Sequence, residues 1–100
     1  MSYDEVLVEK AADDMNYCVC VFEDTEDGTA CVINGFCSLD DQDMFVKNAT
    51  KHPDFERYYL AKTLGNVRDI YNHCCDDLGE EMVDVMLCEG PVLPIDLAVN

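Results

Sequence analysis

The sequence predicts an α+β fold in which a small antiparallel β-hairpin packs against about four helices, in the order α-β-β-α-α-α. Hydrophobic residues make up 49% of the 100 residues, which is enough for a core. Two segments rich in β-branched residues flank an Asp27-Gly28 turn, and apolar residues elsewhere recur at helical intervals. A chain of this length is the size of one domain, so we expect residues 1–100 to form a single acidic domain.

The first predicted elements are a helix and a hairpin. Ser2 and Glu5 stand at capping-box spacing, and the apolar residues that follow predict a helix over residues 3–14. Residues 17–23 and 29–36 are rich in β-branched, aromatic and cysteine residues. Because the acidic loop between them ends in an Asp-Gly pair, we expect the two segments to pair as a β-hairpin.

Two more helices are predicted in the middle of the chain. Ser38 can cap the second helix, and Pro53 suits the first position of the third, which Gly65 would end. The predicted inward positions are Met44, Phe45 and Ala49 in the second helix, and Phe55, Tyr58, Tyr59 and Leu64 in the third.

The last predicted element follows Asn66, a potential helix cap, and keeps one helical phase across Gly79. Its apolar positions are Val67, Ile70, Tyr71, Cys74, Leu78, Met82, Val85 and Met86. A glycine inside a helix costs about 1 kcal/mol, so two helices are an alternative. In a further alternative, the β-branched residues of 83–88 form a third strand. The apolar tail after Gly90-Pro91 is expected to lie extended against the core.

The net charge of the chain indicates which classes of partner it would attract and which it would repel. The chain has 22 acidic and 6 basic residues, for a net charge of −16. That exceeds the charge of about 2–8 that keeps a small domain soluble. Nucleic acid and anionic membranes would repel such a chain, so we expect neither as a partner and expect a basic protein surface instead. Five of the six basic residues lie in one stretch: Lys47, Lys51, Arg57, Lys62 and Arg68.

Three acidic clusters are the predicted partner-binding residues. They are Asp76, Asp77, Glu80, Glu81 and Asp84; Glu23, Asp24, Glu26 and Asp27; and Asp40, Asp41 and Asp43. On a helix, Asp76, Glu80 and Asp84 would form a row with a spacing of about 6 Å, comparable with that of backbone phosphates. Like charges at this spacing destabilise a helix by about 0.2–0.5 kcal/mol per pair, which favours a function over solubility as the explanation.

The seven cysteines are odd in number and irregular in spacing, unlike a secreted disulfide framework. The N-terminus has no signal-peptide pattern, so we expect free thiols in the cytoplasm. Free cysteines are most often small buried hydrophobes. A zinc site built from Cys18, Cys20, Cys31 and Cys37 is an alternative, but the paired Cys-x₂₋₄-Cys knuckles of such sites are absent. We therefore expect no metal and no cofactor.

Other chemistries have no support in the sequence. No P-loop, dinucleotide fingerprint, G-x-S-x-G or H-E-x-x-H occurs, and nothing local pairs a reactive thiol with His52 or His73. A calcium loop starting at Glu23 would place Asn34 where the bidentate glutamate belongs. The sequence thus predicts a protein that is not an enzyme.

In size and charge, the chain resembles the DNA-mimic inhibitors that phages make against restriction or CRISPR systems. The resemblance implies a regulator or inhibitor that occupies the basic groove of a nucleic-acid-handling protein, with carboxylates where phosphates would bind. The alternative is a protein–protein adaptor or homo-oligomer, such as a homodimer, whose acidity only serves solubility. It would use Tyr58, Tyr59 or the apolar tail at residues 92–95.

Overall fold

A four-stranded β-sheet organises the protein in a computed structural model that describes residues 6–9 and 15–88. The strands are β1 (Tyr17–Thr25), β2 (Gly28–Phe36), β3 (Tyr59–Leu64) and β4 (Val83–Cys88). Three helices are described: residues 6–9, called α1, and α2 (Leu39–Ala49) and α3 (Val67–Leu78). Two short 3₁₀ turns, Phe55–Arg57 and Glu80–Met82, precede β3 and β4. The fold is a small mixed α+β domain, as predicted at the level of class.

The strand order is β3-β1-β2-β4. β1 and β2 form the predicted hairpin, which closes where Thr25 pairs with Gly28. Gly28 has a φ of 126°, a conformation that favours glycine and that explains the Asp-Gly signal. β3 adds to β1 in antiparallel orientation, and β4 adds to β2 in parallel orientation. The parallel pair requires the crossover that α3 contributes to.

Helices cover both faces of the sheet, because side chains alternate along each strand. On one face, α1 and α3 pack on a buried cluster that contains Val8, Cys18, Cys20, Cys31, Ile33, Val67, Tyr71, Cys74, Val83 and Val85. On the other face, α2 packs on a second cluster that contains Val19, Val21, Phe36, Phe45, Ala49 and Tyr58. The rings of Phe36 and Phe45 join α2 to β2, with their centroids 5.3 Å apart.

We predicted about four helices packed on a two-stranded hairpin, and the third of these helices, expected between Pro53 and Gly65, is not formed. The structure places β3 there, after a single 3₁₀ turn. The free edge of β1 presents backbone groups that a strand can pair and a helix cannot. Tyr59 and Leu64, which were expected to face inward, are exposed by 63% and 74%. This non-local pairing overrides the local helical spacing.

The helical phase after Asn66 ends at Leu78, because Gly79 has a φ of 94°. The strand alternative for residues 83–88 is therefore confirmed. Val83 and Val85 are buried because they lie beside Cys31 and Ile33 of β2. The predicted tail after Gly90, like the start and end of the predicted first helix, lies outside the described residues.

The predicted helix caps at Ser38 and Asn66 are present, whereas the predicted capping box of Ser2 and Glu5 lies outside the described residues. The backbone N–H of Asp41 donates to Ser38 Oγ at 3.2 Å, and that of Arg68 donates to Asn66 Oδ1 at 2.9 Å. Within the described part of the chain, no helix has the length and apolarity needed to cross a membrane.

Candidate functional site

The hairpin tip and the turn after α3 lie at the same end of the sheet. β4 runs parallel to β2 with Val83 beside Cys31, so the residues just before Val83 lie beside the first residues of β2. A Cβ atom built on Gly28 would lie 3.9 Å from Met82 Cε, which shows how closely the two turns approach. Two acidic clusters that are distant in the sequence are therefore brought together.

We call the exposed carboxylates at this location the acidic end: Asp24, Glu26, Asp27, Asp76, Asp77, Glu80 and Glu81. Among residues 6–9 and 15–88, no lysine or arginine nitrogen lies within 4 Å of these seven carboxylates. Asp77 lies 3.2 Å from His73 Nε2 on the same helix, and Asp24 accepts a hydrogen bond from the Thr29 hydroxyl. The acidic end is thus a surface of largely uncompensated negative charge.

The position of Asp76 and Asp77 is unfavourable for the helix that carries them. Both lie near the C-terminus of α3, where the helix dipole is negative, and the last turn has no basic residue. A negative charge there destabilises a helix by an amount comparable with the 0.3–1 kcal/mol, roughly, that a cation would contribute. The acidic end is therefore placed at a cost to stability.

The predicted helical row is not formed. Asp76 lies on α3, Glu80 on the following 3₁₀ turn and Asp84 on β4. Because Gly79 interrupts the helix, the three carboxylates do not share one face at the spacing of phosphates. Asp84 is exposed, but strand alternation directs it to the sheet face opposite Val83 and Val85.

Two of the predicted partner-binding acids, Glu23 and Asp43, form ion pairs within the chain. The guanidinium of Arg57 donates to Glu23 at 2.8 Å, and Lys62 pairs with Asp43. A third pair joins Arg68 to Glu9 at 2.8 Å. The basic stretch thus places three of its cations against the chain's own acids. Exposed pairs of this kind contribute little to stability, but they lower the charge available to a partner.

The third acidic cluster lies away from the acidic end. Asp40, Asp41 and Asp43 are in the first half of α2, which follows the last residue of β2, at the opposite end of the hairpin from its tip. Asp40 and Asp41 occupy the first turn of α2, where the helix dipole favours negative charge. This favourable interaction is a structural reason for acids at these two positions, and their predicted role in partner binding stays a prediction.

A second candidate site is a cluster of thiols beneath α3. The Sγ atoms of Cys20, Cys31 and Cys74 all lie within 4.8 Å of one another. We call these three residues the thiol cluster; they are only 3%, 1% and 7% exposed. Cys20 and Cys31 are diagonal neighbours on one face of β1 and β2, and α3 places Cys74 over them. Each thiol comes from a different element.

The thiol cluster differs from the zinc site considered from the sequence. Cys20 and Cys31 belong to both, whereas Cys18 is buried outside the cluster and Cys37 is exposed. The expectation of burial is confirmed for Cys18, Cys20, Cys31 and Cys74 and is wrong for Cys37. The sequence reasoning missed Cys74 as a partner of the hairpin thiols, although its helical phase with Val67 and Tyr71 indicated an inward position.

The thiols perturb one another. The Cys31 thiol donates to Cys20 and lowers the pKa of Cys20, while the same hydrogen bond raises the pKa of Cys31. Burial raises the pKa of Cys74 to about 11 and that of Cys18 to about 12. Within the cluster, negative charge is therefore favoured on the sulfur of Cys20.

A cavity of about 440 Å³ connects the thiol cluster with the surface between β3 and α3. Cys20 and Cys74 line it, together with the apolar side chains of Phe22 and Ile70. His73 contributes to the same lining, and its side chain is 78% exposed. The cavity thus extends from exposed residues to two buried cysteines of the thiol cluster.

Comparison of the chain with protein-family models, with curated proteins and with solved structures finds no match. The features of the structure that bear on function are the acidic end, the thiol cluster and the cavity beside it.

Proposed function

We propose that this protein is a non-catalytic acidic binding protein that regulates or inhibits a nucleic-acid-handling protein in the cytoplasm by occupying its basic groove. The observation that carries the proposal is the acidic end, where two acidic segments meet without a lysine or arginine within 4 Å among the described residues. The partner would supply the missing cations.

Electrostatics supports this use of the acidic end. Surface charge of one sign increases the rate of encounter with an oppositely charged partner by about 10–10³-fold at low salt. Asp76 and Asp77 lie at the negative end of the α3 dipole, so a partner's cations near them would offset this unfavourable interaction. The chain's own basic residues are, in part, held at other acids, as in the pairs Arg57–Glu23 and Lys62–Asp43.

The shape of the hairpin also supports insertion into a groove. β3 pairs with β1 only as far as Phe22, whereas the hairpin continues to Thr25. On the side of β3, the hairpin therefore extends beyond the paired part of the sheet, and Glu26 and Asp27 are exposed at its turn. This exposed tip and the adjacent turn at Glu80–Met82 form a convex acidic end, which fits a concave basic surface better than a flat sheet face does.

The test compares two double variants that remove the same charge. Glu80→Gln/Glu81→Gln neutralises part of the acidic end, and Asp40→Asn/Asp41→Asn is the matched control on α2. Each protein is immobilised and used to capture partners from a lysate of the source cell at low salt, with identification by mass spectrometry. We expect the wild type and the control to retain nucleic-acid-binding proteins that a short duplex DNA releases, and the acidic-end variant to lose them, because groove contacts depend on these carboxylates.

Equal capture by all three proteins would contradict the role of the acidic end. Capture of partners that duplex DNA does not release would contradict competition for a nucleic-acid groove. Circular dichroism of each variant verifies that its fold is intact.

A second candidate is a homo-oligomer formed through β3. β3 is an edge strand of the sheet, and its residues Tyr59 and Leu64 are exposed by 63% and 74%. An exposed edge with apolar side chains can pair with a second copy. Tyr58, in contrast, is only 7% exposed in the core, so it does not offer the contact that the sequence suggested. Capture of the chain's own copies alone would favour this candidate.

A further inference from the structure

The three sulfurs of the thiol cluster are close to the geometry of a metal site. A triangle with 4.8 Å sides has its centre about 2.8 Å from each corner, and a metal–thiolate bond is about 2.3 Å long. Each sulfur would have to move inward by at most about 0.5 Å, which a small side-chain rotation supplies. The cluster is therefore nearly arranged before any ion binds.

The number and type of donors select the ion. Within the described residues, the group of potential ligands consists of three cysteines, with no histidine, aspartate or glutamate included. Structural zinc sites are almost always four-coordinate, whereas soft thiolate ligands also select Cu(I), which accepts three sulfurs. Hard cations such as Mg²⁺ and Ca²⁺ take oxygen ligands and are excluded at these sulfurs.

An entry path is present. The cavity of about 440 Å³ is lined by Cys20 and Cys74, so an ion that enters from the surface comes next to two of the three cysteines. The three cysteines are buried on the sheet beneath α3, so the cavity side is the route by which water and oxidants would reach a bound ion. This access distinguishes the cluster from Cys18, which is fully buried and does not line the cavity.

From these observations, we propose that the thiol cluster, Cys20, Cys31 and Cys74, binds one Cu(I) ion per chain in trigonal coordination. Each thiol that becomes a thiolate ligand releases one proton to solvent, and copper remains Cu(I) throughout, so no electron is transferred. The bound ion would connect α3 to the hairpin and stabilise the folded state, because the unfolded chain does not hold the three sulfurs together.

The test uses the full chain, reduced and kept free of oxygen. It is titrated with Cu(I) against a chromophoric Cu(I) chelator, and binding is followed by the chelator's loss of colour and by thiolate-to-copper absorption in the ultraviolet. We expect one equivalent to bind. Cys74→Ser should weaken the affinity by at least about 100-fold, whereas Cys37→Ser, at an exposed thiol outside the cluster, should leave it unchanged within about threefold.

A second measurement keeps the proposal testable if a serine variant does not fold. X-ray absorption on the copper-loaded wild type should show three sulfur neighbours at about 2.3 Å. Two sulfurs, or any nitrogen or oxygen neighbour, would overturn the trigonal site. A parallel titration with Zn(II) tests the choice of ion: tighter binding of Zn(II) than of Cu(I) would overturn the assignment to copper, as would less than half an equivalent of bound Cu(I).

Discussion

Gln42 is a buried amide that connects α2 to two strands. Its side chain is 0% exposed, and its Nε2 donates to the backbone oxygens of Cys18 at 2.8 Å and Thr63 at 3.2 Å. Cys18 and Thr63 are opposite each other in β1 and β3. A single amide therefore satisfies one carbonyl on each strand and fixes the position of α2 over them.

Replacement of this amide tests that role. We expect Gln42→Leu, which preserves the size of the side chain, to lower the free energy of unfolding by about 1–3 kcal/mol, because two carbonyl groups lose a buried donor. Urea denaturation followed by circular dichroism measures the change. Met44→Gln, at a position of the same helix that is 47% exposed, serves as the control and should stay within about 0.5 kcal/mol. Equal losses in the two variants would assign no special role to Gln42.

Gln42 also shows what the sequence cannot predict at the scale of residues. Helical spacing placed Phe45 and Ala49 inward, and both are buried. It also placed Met44 inward and had no reason to bury a glutamine. Gln42 is buried because it donates to carbonyl groups of β1 and β3. These strands are distant from α2 in the sequence, so no local pattern predicts the contact.

At the scale of elements, the hairpin was predictable and β3 was not. The turn chemistry of the hairpin is local, because it requires a residue such as Gly28 that tolerates a positive φ. The pairing of β3 with β1 is non-local, and the apolar residues of this stretch also fit a helix. β4 is intermediate: Val83 and Val85 are buried and Asp84 is exposed, a period of two that favours a strand.

The end of α3 depends on Gly79, and this dependence can be tested. Gly79 has φ 94° and ψ 141°, and a Cβ at this position would lie 3.1 Å from a carboxylate oxygen of Glu81. We expect Gly79→Ala to lower the free energy of unfolding by about 1–3 kcal/mol, because a side chain is strained in this backbone conformation. Thermal and urea denaturation would measure the loss.

Gly65→Ala is the matched control for this substitution. Gly65 does not have a φ in the left-handed region, and the nearest atom to a Cβ there, Ile70 Cδ1, would be at an ordinary 3.6 Å. The free energy of unfolding of the Gly65→Ala variant should therefore be unchanged or slightly higher than that of the wild type, because alanine restricts the conformations of the unfolded chain. A loss at Gly65 as large as that at Gly79 would contradict the conformational explanation.

At the scale of the whole molecule, the distribution of charge follows from topology. The sequence predicted three acidic clusters and one basic stretch, and the structure places Arg57, Lys62 and Arg68 of that stretch in ion pairs. The meeting of the hairpin tip with residues 76–81 could not be predicted, because it results from the parallel pairing of β2 with β4. The thiol cluster depends likewise on the way α3 crosses the hairpin.

Salt tests whether the acidic end strains the folded protein. The chain has a net charge of −16. We therefore expect added NaCl to raise the wild type's free energy of unfolding, because screening weakens the repulsion among carboxylates. At low salt, Glu80→Gln/Glu81→Gln should be more stable than the wild type by about 0.5–1 kcal/mol, and its salt dependence should be smaller.

Asp40→Asn/Asp41→Asn is the control, because it removes the same charge but also a favourable interaction with the dipole of α2, so it should gain less stability or lose stability. Urea denaturation at several salt concentrations gives these free energies, and the three proteins should converge at high salt. Equal gains in the two variants would assign the strain to the total charge and not to the acidic end.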